Sequence, residues 1–270
     1  MKTKILIIGK KSFIGTNLIK YLSKKYNVGS CSFNYFMNQK MSFLTNVEYI
    51  INCTSNKNYV KNKYKISNDN DFHIAKKILK TNKYIFLSTR KIYKPDYNLK
   101  ENSRLLPNSN YSRNKLISEQ KLKKILKKNL TILRVSNLIG YPFKKKRKLH
   151  KTFIDEFYRL AKKGILIESG NIYKDFISVR RLSEIIHLIM RKKICGTINV
   201  SIGEKIYVND LVSWLNQYNK KKMKYIRLNL NSKKESFTLN NDKLINKIKS
   251  TYKKNDLKKD CIKLSKILFN

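Results

Sequence analysis

The chain has 270 residues, 41% of them hydrophobic, which suffices for one large domain, or a large domain with a small lobe, and excludes wholesale disorder. Its formal net charge of +44 would ordinarily point to nucleic acid, yet only ten of the 61 basic residues are Arg. A phosphate-reading surface draws on the bidentate Arg fork, whereas abundant Lys, Asn, Ile and Tyr are what A/T-rich codons produce, so nucleic acid is not the expected partner.

In chain order, the apolar run at residues 4–8 predicts a parallel strand buried on both faces. It is too short for a signal segment and no small-residue cleavage site follows. A turn at Gly9-Lys10-Lys11-Ser12 leads into a helical pattern from Phe13 to Leu22. Further strands are predicted at Val28–Phe33, Val47–Cys53, Tyr84–Ser88, Leu130–Val135 and Ile198–Val200. Helices are predicted at Asn68–Lys80, Tyr111–Lys127, Phe153–Lys163, Leu182–Arg191 and Val208–Tyr218. This alternation predicts an α/β, Rossmann-like doubly wound parallel sheet. Lys144–Lys148 and Lys220–Lys222 read as exposed loops. No apolar run approaches the ~20 residues of a membrane span. The cysteines (Cys31, Cys53, Cys195, Cys261) are scattered, with no CxxC pair and no companion His cluster. That argues against disulfides or a zinc site and fits a reducing compartment, so a cytoplasmic protein is expected.

Two sites stand out. Gly9 and Gly15 bracket the first strand-to-helix junction, where backbone N–H groups and a helix N-terminus can hold a pyrophosphate. Ser12 stands where a glycine would be ideal, so its side chain is expected to point away from the phosphates. The second site is Tyr111-Ser112-Arg113-Asn114-Lys115. Residues four apart share a helix face, and a lysine ammonium there favours the phenolate. The spacing alone selects nothing, because six Tyr-x-x-x-Lys pairs occur, the others starting at Tyr21, Tyr59, Tyr141, Tyr158 and Tyr218.

The surroundings select Tyr111. Gly9…Ser12…Gly15, with Phe13-Ile14 between, stands in place of GxxGxxG, and Ile51-Asn52-Cys53-Thr54-Ser55 ends a later strand. Ser88-Thr89-Arg90-Lys91-Ile92-Tyr93 matches S-[ST]-x-x-[VI]-Y, followed by Glu101, Pro107, Tyr111 and Lys115. Beyond these come Arg134…Asn137…Gly140 for R-x-x-N-x-x-G, Asp175-Phe176-Ile177-Ser178-Val179 for D-F-I-x-V, and Ile198–Gly203. In this order, across nearly the whole chain, they resemble the extended branch of the short-chain dehydrogenase/reductases, the nucleotide-sugar epimerase/dehydratase/reductase family.

The resemblance implies an NAD- or NADP-dependent oxidoreductase or epimerase acting on a nucleotide-linked sugar. Tyr111 would transfer the proton, Lys115 would ease its ionisation and bind the nicotinamide ribose, and the Thr89 hydroxyl would bond the reacting sugar oxygen. Gly9, Ser12, Phe13, Ile14, Gly15, Ser32, Cys53 and Thr54 would line the cofactor, and Ser88, Asn137 and Lys174 the substrate. It also implies residues 1–142, rejoined by 175–212, as the NAD(P)-binding domain, 143–174 with 213–270 as a substrate-binding lobe, and pairing into a homodimer. The family's 4,6-dehydratases place Asp-Glu directly after the catalytic Thr. Arg90-Lys91 stand there instead, and neither can act as acid and base for water elimination at neutral pH. About twenty residues separate Val28 from Val47, little room for the usual helix and third strand, so a 4-ketoreductase or compact epimerase is expected. Strand two carries no terminal acid, with Ser32-Phe33-Asn34 there, which leaves NAD and NADP both open. The rivals are a Rossmann-type RNA-binding protein and a cofactor-binding regulator without turnover. His73, His150 and His187 are dispersed and not expected to be catalytic. Trp214 is expected to pack into the core or lobe.

Overall fold

The computed structural model describes residues 4–140, 153–168, 170–227 and 236–269. In chain order the first half runs β1 Lys4–Ile8, α1 Phe13–Leu22, β2 Asn27–Cys31, α2 Phe33–Asn38, β3 Val47–Asn52, α3 Lys57–Lys61, α4 Asn70–Lys77, β4 Lys83–Thr89, α5 Asn110–Leu126 and β5 Leu130–Val135. The remainder runs β6 Asn137–Ile139, α6 Phe153–Ala161, β7 Ile165–Glu168, β8 Tyr173–Lys174, β9 Phe176–Ser178, α7 Val179–Arg191, β10 Gly196–Val200, β11 Ile206–Tyr207, α8 Val208–Asn216, β12 Lys224–Arg227, α9 Asp242–Ile248 and α10 Lys254–Phe269.

Six strands form one parallel sheet in the order β10-β5-β4-β3-β1-β2. Side chains alternate across a strand, so each central strand supplies both faces. Ile5, Ile7, Ile51, Ile85, Leu87 and Leu133 pack on one face with Leu18 and Leu22 of α1 and Leu182, Ile185, Ile186 and Ile189 of α7. Leu6, Ile8, Ile50, Tyr84, Phe86 and Ile132 pack on the other with Phe36 of α2, Ile74 of α4 and Leu122 of α5. Burial on both faces is why these strands read as continuous apolar runs. Shorter pairings lie outside the main sheet: β6 with β9, β8 with β11, and β7 with β12.

The six predicted strands and six predicted helices all form, with ends moved by a few residues. Predicted Val28–Phe33 stops at Cys31 because Ser32 turns to cap α2, its Oγ accepting from the Tyr35 N–H at 3.2 Å. The reduced region before β3 therefore does hold a helix, six residues long, and then a 3-10 turn at Met41–Leu44. Among the described residues no strand lies beyond β2, which is an edge of the sheet. Trp214 packs partly buried against the core, and Lys220–Lys222 are exposed. His150, Tyr141 and Lys144–Lys148 lie outside the described residues, as does the expected domain boundary at 142. Among the described residues no helix is long and apolar enough to cross a membrane, no His/Cys/Asp/Glu group could hold a metal, and all four cysteines are free.

Candidate active site

The carboxyl ends of β1, β3, β4 and β5 lie along one edge of the sheet, with Ile8 opposite Asn52 and Thr89 opposite Val135. β1 sits between β2 and β3, so the strand order reverses there and opens a crevice at that edge. The glycine turn lies in it. The Gly9 N–H donates to the Cys31 carbonyl at 2.8 Å, and Gly9 holds φ +105°, a conformation that favours glycine. A Cβ on Gly15 would lie 2.2 Å from the Gly9 carbonyl oxygen, so the helix enters hard against the turn.

Ser12 caps α1, its Oγ accepting from the Gly15 N–H at 3.0 Å. The hydroxyl is folded back on the helix and occupies one of the first-turn donors. Among the described residues the N–H groups of Phe13 and Ile14 have no protein acceptor. Two free donors at a helix N-terminus, over a turn that excludes side chains, fit the pyrophosphate of a dinucleotide. Across the crevice, the Cys53 N–H donates to the Ile8 carbonyl at 2.8 Å, which sets Cys53 and Thr54 beside the turn. Burial pushes the Cys53 thiol up, so it is inert as a nucleophile at neutral pH. Ser32 is exposed, just past β2.

Tyr111 and Lys115 occupy the first turns of α5, which a Ser109–Ser112 capping box initiates. Tyr111 is half-buried, and Lys115 is buried within its electrostatic reach. Lys115 Nζ lies 4.4 Å from the Phe86 ring centroid and 3.5 Å from Asp71 Oδ2. Burial works against this ammonium, but Asp71, Tyr111 and Asp69 outweigh it and raise its pKa above the ordinary lysine range. Thr89 ends β4, and its Oγ1 accepts from the Lys91 N–H at 3.2 Å. The hydroxyl proton of Thr89 remains available to a ligand.

The remaining predicted residues divide. The Asn137 N–H donates to the Asp175 carbonyl at 3.3 Å, which brings half-buried Asn137 and Lys174 onto neighbouring segments. Ser88 instead faces inward, donating to Glu119 Oε1 at 2.5 Å. Glu119 pairs with buried Arg134 at 2.7 Å, and Arg134 also donates to the Tyr93 hydroxyl at 2.8 Å. Of the histidines, His187 Nδ1 bonds the Tyr26 hydroxyl at 2.7 Å, far along the chain from these residues.

Sequence reasoning missed Asp71, Asn52 and Tyr84. Asp71 Oδ1 accepts from the Tyr84 hydroxyl at 2.6 Å and from Asn52 Nδ2 at 2.9 Å. The available signal was scarcity: with 17 acids against 61 bases, an Asp one residue before Phe72 and three before Ile74, in a helix packing on the sheet, is conspicuous.

Fold and crevice together define a dinucleotide-binding Rossmann protein. Residues 37–203, more than half of the chain, match the NAD dependent epimerase/dehydratase family, and the chain belongs to it. Its cofactor is accordingly a nicotinamide dinucleotide. Comparison with curated proteins finds no match by sequence. Among solved structures, the fold resembles a UDP-N-acetylglucosamine 4-epimerase from Methanobrevibacter ruminantium in complex with UDP-N-acetylmuramic acid (TM-score 0.78, 18% identity, 98% of each chain covered). It also resembles a dTDP-glucose 4,6-dehydratase from Bacillus anthracis in complex with NAD (TM-score 0.72, 17% identity, 98% of this chain and 97% of that one). A third similar structure is a dTDP-4-dehydrorhamnose reductase from Bacillus anthracis in complex with NADP (TM-score 0.75, 16% identity, 98% of this chain and 99% of that one).

Proposed function

We propose that this chain reduces the 4-keto group of a nucleotide-linked sugar, or epimerises that centre through the same ketone, with Tyr111 as proton donor and acceptor. The observation that carries the reading is that Lys115, one turn on from Tyr111 in α5, acts on Cys53 beside the glycine turn, with the Thr89 hydroxyl at the end of the nearby strand β4. Held at the Gly9–Gly15 turn, a nicotinamide cofactor would supply the hydride. The Tyr111 O–H would deliver the proton to the carbonyl oxygen and complete the alcohol. Lys115, charged and buried, stabilises the phenolate left behind, and Thr89 donates to the same oxygen. Solvent then reprotonates Tyr111.

Three features support the reductase over elimination chemistry. Arg90-Lys91 follow Thr89, where water elimination needs an acid and a base. The Arg90 guanidinium, 3.7 Å from the Phe237 ring centroid, puts a cation directly after Thr89 where elimination chemistry would need an acid. The edge of the sheet ends at β2, which suits a compact enzyme. On this reading residues 1–142 and 175–212 hold the cofactor and 143–174 with 213–270 bind the sugar, with Asn137 near the nicotinamide or the substrate and Lys174 toward the nucleotide phosphate.

The test is NADH or NADPH consumption with a panel of 4-keto nucleotide sugars, on wild type and Tyr111→Phe. Expected are turnover with at least one ketone and a loss of about 10²–10⁴-fold in Tyr111→Phe, with cofactor affinity unchanged. Cofactor binding with neither turnover on any ketone nor epimerisation of any nucleotide sugar would overturn it in favour of a regulator. Failure to bind either cofactor, with salt-dependent RNA binding instead, would overturn it in favour of the RNA reading.

A further inference from the structure

Lys115 is 5% exposed, and its ammonium lies against the rings of Phe86 and, at 5.8 Å, Tyr59. A lysine so placed discharges unless something holds its proton. Asp71, in the first turn of α4, is the one carboxylate within ion-pair distance of Nζ among the described residues. Asp71 is itself fixed. The Tyr84 hydroxyl and Asn52 Nδ2 both donate to its Oδ1, leaving Oδ2 to face the lysine. Asn52 is held in turn, its Oδ1 accepting from the N–H and the hydroxyl of Thr54 at 2.9 and 2.7 Å. The other acid nearby, Asp69, is committed elsewhere: its oxygens accept from Ser118, Tyr64 and the Phe72 N–H. The remaining titratable groups facing the pair are Cys53, Tyr59, Tyr84 and Tyr111, and burial holds the first three neutral.

We infer that Asp71 is a positioning residue for Tyr111 and Lys115: clamped by Tyr84 and Asn52, its carboxylate anchors Lys115 Nζ and keeps it charged. The inference rests on the roles given to Tyr111 and Lys115 above. It joins strand β3, helix α4 and helix α5 through one ion pair, so the segment carrying Cys53 and Thr54 and the helix carrying Tyr111 are set by the same carboxylate. Asp71 touches neither sugar nor nicotinamide in this scheme and acts only through Lys115.

The sign of one titration separates this role from a plain electrostatic one. With Asp71 removed, a buried Lys115 loses its proton, Tyr111 loses its cationic neighbour, and its phenol becomes harder to ionise. If Asp71 were merely a negative charge near Tyr111, its removal would make that phenol easier to ionise. The experiment follows Tyr111 by NMR of ring-labelled tyrosine in the apoprotein, its signal assigned by its loss in Tyr111→Phe. Asp71→Asn keeps the oxygen that accepts from Tyr84 and Asn52 and replaces the carboxylate oxygen facing Lys115 by an uncharged NH2 group. Expected is an upward shift of the Tyr111 midpoint by about one unit or more in both Asp71→Asn and Lys115→Met, with no further shift in the double variant. A downward or absent shift in Asp71→Asn beside an upward one in Lys115→Met overturns the inference and leaves the catalytic reading standing. No shift in Lys115→Met overturns the pairing of Tyr111 with Lys115, and the inference with it. Should Asp71→Asn not fold, the double variant decides. Recovery once the stranded ammonium is gone supports the inference, whereas a double variant equally unfolded shows that Asp71 serves Tyr84 and Asn52 alone and overturns it.

Discussion

Gly15 has no room for a side chain, since its Cβ would meet the Gly9 carbonyl oxygen at 2.2 Å, a backbone atom that cannot swing aside. Gly15→Ala must therefore open the turn that presents the Phe13 and Ile14 N–H groups. The expected result is a folded protein, less stable by about 1–3 kcal/mol, whose NADH and NADPH dissociation constants both rise at least about tenfold. Fluorescence titration reads this directly, and unchanged affinity would remove the pyrophosphate from this turn. At this scale type and place in the sequence were enough to single out Gly9, Gly15, Thr89, Tyr111 and Lys115, and the structure sets the two glycines at one turn, Thr89 at the end of β4, and Tyr111 and Lys115 on one helix, where the proposal gives them their roles. Asp71, Asn52 and Tyr84 could not, because what matters about them is a meeting of α4, β3 and β4 across the sheet. Ser88 shows the converse. Its motif position is unambiguous, yet the sequence does not say which face of β4 takes its hydroxyl, and Glu119 captures it.

The second strand decides more than its five residues suggest. β2 ends at Cys31 with no acid at its tip, and Ser32 is spent on capping α2. In sites that prefer NAD, a carboxylate here bonds the ribose hydroxyls and repels a 2′-phosphate. Here that repulsion is missing, and Lys10 is pinned close by: its N–H shares the Cys31 carbonyl with that of Gly9, at 3.3 and 2.8 Å, and its charge acts on the Cys31 thiol. NADPH is accordingly expected to bind at least as tightly as NADH. Lys10→Glu is expected to weaken NADPH about tenfold while changing NADH by less than about threefold, as an exposed charge reversal facing one extra phosphate. Equal effects on the two cofactors would place the 2′-position elsewhere. The predicted strand overran by two residues here because Ser32-Phe33 continues the polar–apolar alternation of Ser30-Cys31, whereas the capping hydroxyl that ends it needs the Tyr35 N–H three residues on.

Across the whole molecule the sheet was legible and its closure was not, because apolar runs announce buried strands while the ties between distant segments are made by single polar side chains. Asp175 is the clearest of these. Fully buried, it accepts from the N–H groups of Ile202 at 3.1 Å, Gly203 at 3.2 Å and Leu239 at 3.0 Å, joining β9, the segment after β10 and the strand-like stretch before α9. Burial pushes its carboxyl up to about 7, against the opposing pull of those N–H donors. In the unfolded chain the same group titrates near 3.8. Between these values the folded protein holds a proton that the unfolded chain has released, so stability falls as pH rises through that window, by up to about 1.4 kcal/mol per pH unit, and levels off above the upper value. Other groups titrate in the same range, which is why the comparison must be with Asp175→Asn. That variant is expected to be less stable throughout, having lost one acceptor oxygen, and to lack this component of the slope. Denaturant unfolding of both proteins across about pH 4 to 8 reads the difference. A wild-type minus variant curve that declines toward neutrality fits a proton shared out by burial. One that stays flat would mean that the three N–H donors keep Asp175 ionised throughout, and that the tie is electrostatic at every pH the enzyme meets.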